Sequence, residues 1–110
     1  MAKKDEKINE TIPSLPSIDK LIHEPARLDI IAILYVIKES DFIFLKTQTG
    51  MTWGNLSSHL TKLEEAGYIN VKKELSGKKT KTRVSLTKEG RIAFREYRQK
   101  MDEFLKRIPE

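Results

Sequence analysis

The segment at residues 28–37 is apolar at nearly every position. This pattern fits either a buried strand or a helix, because its five β-branched residues favour a strand while its length favours a helix. Pro25 suits the first position of a helix, since its missing N–H would be unpaired there in any case. We therefore predict a helix from Pro25 to about Lys38. A helix that is apolar on all sides needs cover from more than one direction, which points to a second subunit.

Two further helices follow, joined by a short turn. The first is predicted over residues 44–49, after a short strand at residues 41–43. The second begins after Thr52, whose hydroxyl can cap it, and ends near Ala66. Gly67 is typical of the residue that follows a helix and turns the backbone into the left-handed region.

Alternating apolar positions predict two strands beyond this helix, at residues 69–75 and 83–86. The polar segment SGKKTK between them contains a glycine and predicts the turn of a hairpin. Thr87 can cap a final long helix, which Pro109 ends. Two short helices joined by a turn and followed by a hairpin are typical of a winged helix-turn-helix. The predicted fold is mainly α with a small β-hairpin, in the α+β class.

The elements divide the 110 residues into three parts of one domain. Residues 1–16 hold lysines, acidic residues and two prolines with few apolar residues, which predicts a flexible N-terminal arm or a loosely docked extension. Residues 17–86 form the predicted winged helix-turn-helix core, where Ser17 and Asp19 can cap a short helix through Ile22. Residues 87–110 form the C-terminal helix.

The helix after Thr52 has two faces when its residues are placed at about 100° intervals. Leu56, Leu60 and Leu63 share one narrow face, which is expected to pack on the core. The opposite face carries short side chains that are mostly uncharged near the N-terminus, and such side chains can enter a major groove and read base edges. The predicted DNA contacts on this helix are Thr52, Gly54, Asn55, Ser58, Thr61 and Lys62.

Individual residues of this face suit different contacts. Asn55 is suited to an adenine edge and Lys62 to a phosphate. Gly54 costs about 1 kcal/mol against alanine inside a helix, but it permits close approach to DNA or to the preceding helix. His59 flanks the apolar face, where packing or hydrogen bonding is favoured over a base contact. A merely solvated amphipathic helix would show the same polar face, so that alternative stays open.

The excess positive charge of the chain lies in the predicted hairpin. Residues 72–83 hold six basic residues and one acidic residue, a net charge of +5, which equals the formal net charge of the whole chain. A local cationic feature of this kind favours a polyphosphate partner, although a solvated charged hairpin has the same composition. The predicted phosphate contacts of this wing are Lys73, Lys78, Lys79, Lys81 and Arg83.

The final helix carries an apolar seam with spacings of three and four residues. This seam can pack on its own domain, against residues 28–37, or on a partner chain. We favour a partner, because so small a domain gains from extra burial and because two-fold symmetry suits palindromic DNA. The predicted dimer interface consists of Leu28, Ile31, Tyr35, Phe94, Tyr97, Met101, Phe104 and Ile108.

Composition excludes several classes of site. The chain has no cysteine, which excludes disulfides, thiolate zinc sites and cysteine nucleophiles, and its two histidines disfavour a histidine-rich metal site. We find no nucleophile–base pair or glycine-rich phosphate loop, so we expect no enzymatic activity and no cofactor. No apolar run is long enough to cross a bilayer, and the N-terminus lacks the apolar stretch of a signal peptide. We therefore expect a cytoplasmic protein.

Three segments carry a family resemblance, namely DKLIHEPARLDIIAIL, TGMTWGNLSSHLTKLEEAGYI and KTRVSLTKEGRIAF. Over residues 18–97 the chain resembles the winged-helix domain of MarR-like and ArsR-like transcriptional regulators, in particular their small single-domain group in archaea and bacteria. The resemblance implies a helix at residues 28–37, and a homodimer with its third core helix in the major groove and its wing on the DNA backbone. By position, it assigns Thr52, Asn55, Ser58 and Lys62 to the groove and Lys78, Lys79 and Lys81 to the wing tip.

The resemblance has limits that lie in this sequence. Metal-sensing relatives use Cys, His and Asp clusters, and this chain lacks the cysteines. Larger relatives bind phenolic ligands, but no effector site can be assigned here. The leading hypothesis is a homodimeric regulator of transcription that binds double-stranded DNA in a sequence-specific manner. The alternative is a winged-helix module for protein or RNA contacts within a transcription assembly, which would not depend on Asn55 and Ser58 for sequence preference.

Overall fold

The computed structural model describes residues 12–110. This part of the chain contains four helices and one antiparallel sheet with the strand order β1-β3-β2. The fold is the predicted α+β winged helix, and the predicted short first strand pairs with the hairpin to form the sheet. Its elements are α1 (Pro25–Ile37), β1 (Glu39–Asp41), α2 (Phe42–Thr49), α3 (Trp53–Glu65), β2 (Ile69–Ser76), β3 (Lys79–Leu86) and α4 (Lys88–Lys106).

The predicted N-terminal arm lies mostly outside the described residues, which begin at Ile12. The last part of the arm has no regular secondary structure and lies beside α4. The carbonyl oxygen of Ser14 accepts a hydrogen bond from Arg107 Nη2 at 3.2 Å, and that of Ser17 accepts one from Lys100 Nζ at 2.9 Å. Residues 14–17 are therefore tied to the second half of α4 through their backbone.

The predicted short helix at residues 17–22 is a turn in the structure. The Asp19 carboxylate accepts hydrogen bonds from the backbone N–H groups of Leu21 and Ile22, at 2.9 and 3.2 Å, and so closes the turn. Glu24 then adopts an extended conformation, as the residue before a proline prefers, and this conformation prevents a helix from running into α1. Pro25 occupies the first turn of α1, as predicted.

Helix α1 is the centre of the core. Its apolar surface packs against the other three helices and against β1 and β3, while Val36 and Ile37 at its end stay exposed. One chain therefore supplies most of the cover that this helix needs. The buried apolar residues of the core are Ile22, Ile30, Ile31, Leu34, Leu45, Leu56, Leu60, Leu63, Ile69, Val84 and Tyr97.

The first strand lies two residues earlier than predicted. It spans Glu39–Asp41, where Ser40 pairs with Val84 of β3, whereas the prediction placed it at residues 41–43. The Asp41 carboxylate accepts a hydrogen bond from Phe44 N at 2.7 Å and thereby caps α2. This cap draws Phe42 and the residue after it into the first turn of α2 instead of a strand.

The hairpin of β2 and β3 is longer than the side-chain pattern predicts. The predicted turn was the six-residue segment SGKKTK, but pairing continues to Ser76 opposite Lys79. Only Gly77 and Lys78 form the turn, and Gly77 has a φ of 67°. Backbone pairing does not require apolar side chains, so a polar tip can continue the ladder.

Helix α3 ends as its sequence predicts. Gly67 has a φ of 82°, and its N–H donates to the carbonyl oxygen of Glu64 at 2.9 Å. The N–H of Tyr68 reaches back to the carbonyl oxygen of Leu63 at 3.0 Å, which completes a Schellman-type ending. The chain thus leaves α3 at a fixed angle and enters β2.

The start of α4 is joined to this exit. Thr87 Oγ1 accepts a hydrogen bond from Gly90 N at 2.9 Å, as predicted for its cap, and donates to the carbonyl oxygen of Gly67 at 2.6 Å. A Cβ atom at Gly90 would lie 2.2 Å from the carbonyl oxygen of Tyr68, so only glycine fits there. Helix α4 therefore begins in direct backbone contact with Tyr68, three residues beyond the end of α3.

Candidate nucleic-acid interface

Helix α3 turns the predicted apolar face to the core and the predicted polar face to solvent. Leu56, Leu60 and Leu63 are buried. The Thr52 hydroxyl accepts a hydrogen bond from Asn55 N at 3.1 Å and caps the helix. The predicted DNA contacts Thr52, Gly54, Asn55, Ser58, Thr61 and Lys62 are all exposed.

An aromatic contact supports one flank of α3. The ring of Trp53 stacks on that of Phe42, with a centroid distance of 5.3 Å and an interplanar angle of 7°. Lys46 Nζ lies 5.0 Å from the centroid of the Trp53 ring, within the range of a cation–π contact. Trp53 remains 56% exposed, so the N-terminal turn of α3 presents an aromatic surface as well as polar groups.

The other flank of α3 is supported by a polar contact. His59 Nδ1 lies 3.2 Å from Arg27 Nη1 on α1. This contact is a hydrogen bond within the chain, in agreement with the packing or hydrogen-bonding role that was expected for His59.

A groove with a volume of about 530 Å³ separates α3 from the hairpin. Ser57 and Thr61 line it from the helix, and Lys73, Lys81 and Thr82 line it from the hairpin. The floor is apolar, formed by residues that include Trp53, Leu60 and Val71. The structure therefore brings part of the predicted reading face and part of the predicted wing to the two sides of one groove.

Ser57 is a candidate site residue that the sequence analysis did not select. It is exposed and lies in the groove, four residues after Trp53 and four residues before Thr61. Residues four apart lie on one side of a helix, so this spacing could have identified Ser57 once Thr61 was chosen. The Thr61 hydroxyl donates to the carbonyl oxygen of Ser57 at 2.9 Å, which leaves its oxygen free to accept.

The basic residues of the wing are divided between the two faces of the hairpin. Side chains alternate along a strand, and the buried Ile69 and Val84 identify the face turned to the helices. Lys73 shares that face, while Lys81 lies on the opposite one and still borders the groove near the tip. Lys79 also lies on the opposite face, and Lys78 is in the turn.

Arg83 stands apart from the lysines because acidic residues neighbour it. Its Nε atom lies 3.5 Å from Glu74 Oε2 and 3.9 Å from Glu39 Oε1. These carboxylates come from the strands on either side of β3, so Arg83 bridges the three-stranded sheet. Its charge is partly neutralised within the chain, and the lysines carry the free positive charge of the wing.

The predicted dimer residues fall into a covered set and an exposed set. Ile31 and Tyr97 are buried within the chain, and they support the surface from behind instead of forming it. The rings of Tyr35 and Phe94 contact each other with a centroid distance of 5.0 Å, so α1 covers the first half of the α4 seam. Leu28 is half-buried beside these residues.

The second half of the α4 seam is less covered. Met101 and Phe104 are half-buried, and Ile108 is 46% exposed. Leu105, which the sequence analysis left out, is 56% exposed and adjoins this end of the seam. An apolar surface therefore continues past the point where α1 ends its contact with α4.

The ionisable groups with shifted pKa values lie away from the reading face. Burial, with a hydrogen bond to Asp19, raises the pKa of Tyr68 to about 12. Burial also raises the pKa of Tyr97, whose hydroxyl lies 2.7 Å from His23 Nδ1. A hydrogen bond from the backbone N–H of Arg27 lowers the pKa of Glu24. These groups stabilise the fold behind the interface.

Two classes of site find no support in the part of the chain that the structure covers. Within residues 12–110, no cluster of three or more metal-ligating side chains is placed to hold a metal ion. None of the helices in this range combines the length and apolar character needed to cross a membrane.

Comparisons with known proteins agree with this geometry. Residues 26–105 match the family described as the winged helix DNA-binding domain. An uncharacterized protein of Methanocaldococcus jannaschii is 38% identical over 78 residues, which are 71% of this chain and 85% of that protein.

Two solved structures share the fold. The transcriptional regulator homologue from Pyrococcus horikoshii OT3 has a TM-score of 0.76 and 23% identity, and the match covers 92% of this chain and 95% of that one. Reduced AbfR bound to DNA has a TM-score of 0.59 and 14% identity over 76% of this chain and 55% of that one. At these identities the likeness shows the fold alone. The family match over residues 26–105 shows that the chain belongs to the winged helix DNA-binding domain family.

Proposed function

We propose that the protein is a sequence-specific DNA-binding regulator of transcription that acts as a homodimer, with α3 in the major groove and the hairpin on the phosphate backbone. One observation carries this proposal. Thr61 on the polar side of α3 and Lys73 and Lys81 of the hairpin border the same groove, so a single duplex can meet both elements. AbfR, which shares the fold, was solved bound to DNA. The function is one of binding and not of catalysis.

The two elements contribute differently to DNA binding. Asn55 and Ser58 are exposed on α3 and have the donors and acceptors that distinguish base pairs in the major groove. Lys78, Lys79 and Lys81 are exposed on the hairpin and suit phosphates, which carry no sequence information. We therefore assign specificity to α3 and most of the salt-dependent affinity to the hairpin.

The homodimer is supported by the apolar end of α4. Leu105 and Ile108 are exposed there, and the exposed side chains of Ile12 and Leu15 belong to the segment that is tied to α4. A second copy that packs on this end would bury these side chains. Two-fold symmetry would then present two α3 helices to half-sites about one helical turn apart.

The dimer can be tested without disturbing the core. Leu105→Glu with Ile108→Glu places charges on the exposed end of α4, while the buried Tyr97 and the first half of the helix stay intact. We expect a folded monomer in sedimentation velocity and a loss of affinity for a two-half-site duplex. Ile92→Glu is a matched control, because Ile92 is exposed on α4 outside the seam. A double variant that sediments like the wild type would contradict the proposed interface.

The DNA-binding proposal is tested by selecting bound duplexes from a random pool, followed by salt titration with the selected duplex. Trp53 is the only tryptophan of the chain and begins α3, so its fluorescence reports binding at this helix. We expect one enriched sequence, a steep salt dependence and a change in Trp53 emission. Recovery of unrelated sequences, or binding that leaves Trp53 emission unchanged, would count against the proposal.

A second candidate function is favoured by the apolar character of the groove. Ile43 and Trp53 are exposed along it, and Leu75 on the helix-facing side of the hairpin is 80% exposed. Such side chains suit a protein partner better than a phosphate chain. The selection experiment separates the two, since a protein-contact module would enrich no duplex and its affinity for DNA would not depend on Asn55 and Ser58.

A further inference from the structure

A hydrogen bond between Arg27 on α1 and His59 on α3 joins the two helices. The Arg27 guanidinium has only donors, so His59 Nδ1, which lies 3.2 Å from Arg27 Nη1, must accept. This direction of the hydrogen bond assigns the imidazole proton to Nε2. The His59 side chain is only 19% exposed, and this hydrogen bond is largely shielded from water.

Arg27 is itself held in place, so it can serve as a fixed donor. Its Nε atom donates to the carbonyl oxygen of Leu21 at 2.6 Å. Its backbone N–H donates to Glu24 Oε1 at 2.8 Å, and this same carboxylate oxygen lies 4.0 Å from His59 Nδ1. The guanidinium is thus oriented by the turn before α1, and it presents Nη1 to α3.

The position of His59 on α3 determines what this contact can do. Three buried leucines hold α3 against the core. The hydrophobic effect has no preferred direction, so a small rotation of the helix about its axis costs little apolar burial. His59 lies on the flank of that face, next to Leu60, and Trp53 lies on the opposite flank. A directional contact on the flank resists rotation more effectively than one at the centre of the buried face.

A small rotation of α3 would disturb base reading. Side chains of a helix extend about 5 Å from its axis, so a rotation of about 10° moves their polar ends by about 1 Å. Hydrogen bonds to base edges tolerate a range of only about 0.5 Å in distance. Asn55 and Ser58 would lose their partners at a rotation that the leucines alone could accommodate.

We propose that His59 is a positioning residue for sequence recognition, which holds α3 in its reading rotation through the hydrogen bond from Arg27. This inference rests on the proposed DNA-binding function. It assigns His59 no contact with DNA. Arg27, which lies on α1, then contributes to sequence specificity through His59 and not through a phosphate contact.

The test uses the full chain and compares two duplexes of equal length, the selected one and an unrelated one. His59→Leu keeps an apolar side chain beside Leu60 but removes the acceptor, and Arg27→Met removes the donor. We expect each to lower the ratio of the two affinities about fivefold to tenfold, as the loss of one hydrogen bond would. The double variant should lose no more than either single variant. His59→Asn, which restores an acceptor near the Nδ1 position, should recover most of the ratio.

The control is His23→Leu, which removes the other histidine and its hydrogen bond to Tyr97 without touching α3. All affinities are measured where circular dichroism shows that each variant is fully folded. The proposal is overturned if His59→Leu keeps the wild-type ratio, or if His23→Leu lowers it equally.

Amide hydrogen exchange measured without DNA tests the positioning role of His59 independently of the proposed DNA-binding function. We expect His59→Leu to raise amide exchange about fivefold in α3 relative to α1, and His59→Asn to reverse the increase. If the wild type prefers no duplex, the proposed function fails, and the exchange alone decides the positioning role. Unchanged relative exchange in α3 then overturns it, while a selective increase supports it.

Discussion

Helix α3 and the outer half of the hairpin flank the same groove, but they are supported in different ways. Three buried leucines anchor α3, and contacts of Trp53 and His59 support its two flanks. Beyond Val71, by contrast, every residue of β2 is exposed, and the tip has no core to rest on. The helix is thus a fixed element, and the tip depends on its own backbone pairing.

This difference matches what each element is proposed to bind. Base edges must be met within a few tenths of an ångström, so a reading helix requires firm support. Phosphates attract lysines over several ångströms, so a wing can work without a fixed position. The comparison predicts that variants in the two elements will affect stability, affinity and specificity in different proportions.

The largest effect is expected from a leucine that anchors α3, compared with a leucine of the hairpin tip. Leu56→Ala should lower the free energy of unfolding by about 2–5 kcal/mol, because it opens a cavity under α3. Leu75→Ala removes the same atoms from an 80% exposed site of the wing and should change stability by less than about 0.5 kcal/mol. Urea denaturation measures both. Similar losses in the two variants would show that the hairpin tip is anchored as well.

A smaller effect, on affinity only, is expected from the wing lysines. Replacing Lys78, Lys79 and Lys81 by Gln should weaken binding to all duplexes alike. Each lost phosphate contact should also reduce the slope of log affinity against log salt concentration by about 0.9. Arg83→Gln is the matched control and should change the slope less, because Glu74 and Glu39 already neighbour its charge. Loss of sequence preference in the lysine variant would contradict the division between the two elements.

The reading face should show the opposite behaviour. Asn55→Ala or Ser58→Ala should cost about 1–3 kcal/mol in affinity for the selected duplex, because a base-edge contact is lost. Affinity for an unrelated duplex should stay unchanged. Lys62→Gln on the same helix serves as the comparison, since loss of a phosphate contact should weaken both duplexes equally. Competition binding at one fixed salt concentration distinguishes these results.

The smallest effect concerns the root of the hairpin at alkaline pH. The pKa of Tyr68 is raised from 10.0 to about 12, so the fold favours the protonated phenol. Its contribution to stability is therefore complete below pH 10 and is lost as the pH rises from about 10 to about 12. Tyr68→Phe cannot titrate and should show a shallower loss of unfolding free energy across this range. Equal slopes for the wild type and Tyr68→Phe in urea denaturation at several pH values would refute the prediction.

The elements that the sequence predicted well are those whose signals are local. Thr52, Gly67 and Thr87 end or begin helices through contacts with residues that are close in sequence. Their positions can therefore be predicted without knowledge of the tertiary structure. The strand at residues 39–41 was misplaced because it is defined by the pairing of Ser40 with Val84, far along the chain. The same non-local pairing extended the hairpin to Ser76 and Lys79 against the polarity of its sequence.

The sequence predicted the two elements of the candidate site, but not the contacts of several individual residues. The polar face of α3 and the basic hairpin follow from periodicity and charge, and both are present. The carboxylates beside Arg83 could not be inferred, because Glu39 and Glu74 approach it only in the assembled sheet. The burial of Ile31 and Tyr97 likewise depends on how α1 and α4 cross. The apolar seam of α4 does not by itself show which of its residues pack on α1 and which remain available to a second chain.

The contact between Gly90 and the carbonyl oxygen of Tyr68 has a consequence at a longer range. It allows no side chain between the end of α3 and the start of α4, so the two helices leave this junction at a fixed mutual angle. If two copies join along α4, the angle between α3 and α4 in each copy determines the distance between the two α3 helices. The spacing between the two half-sites on the DNA would then depend on Gly90, because its side chain is a hydrogen atom where every other amino acid has a Cβ atom.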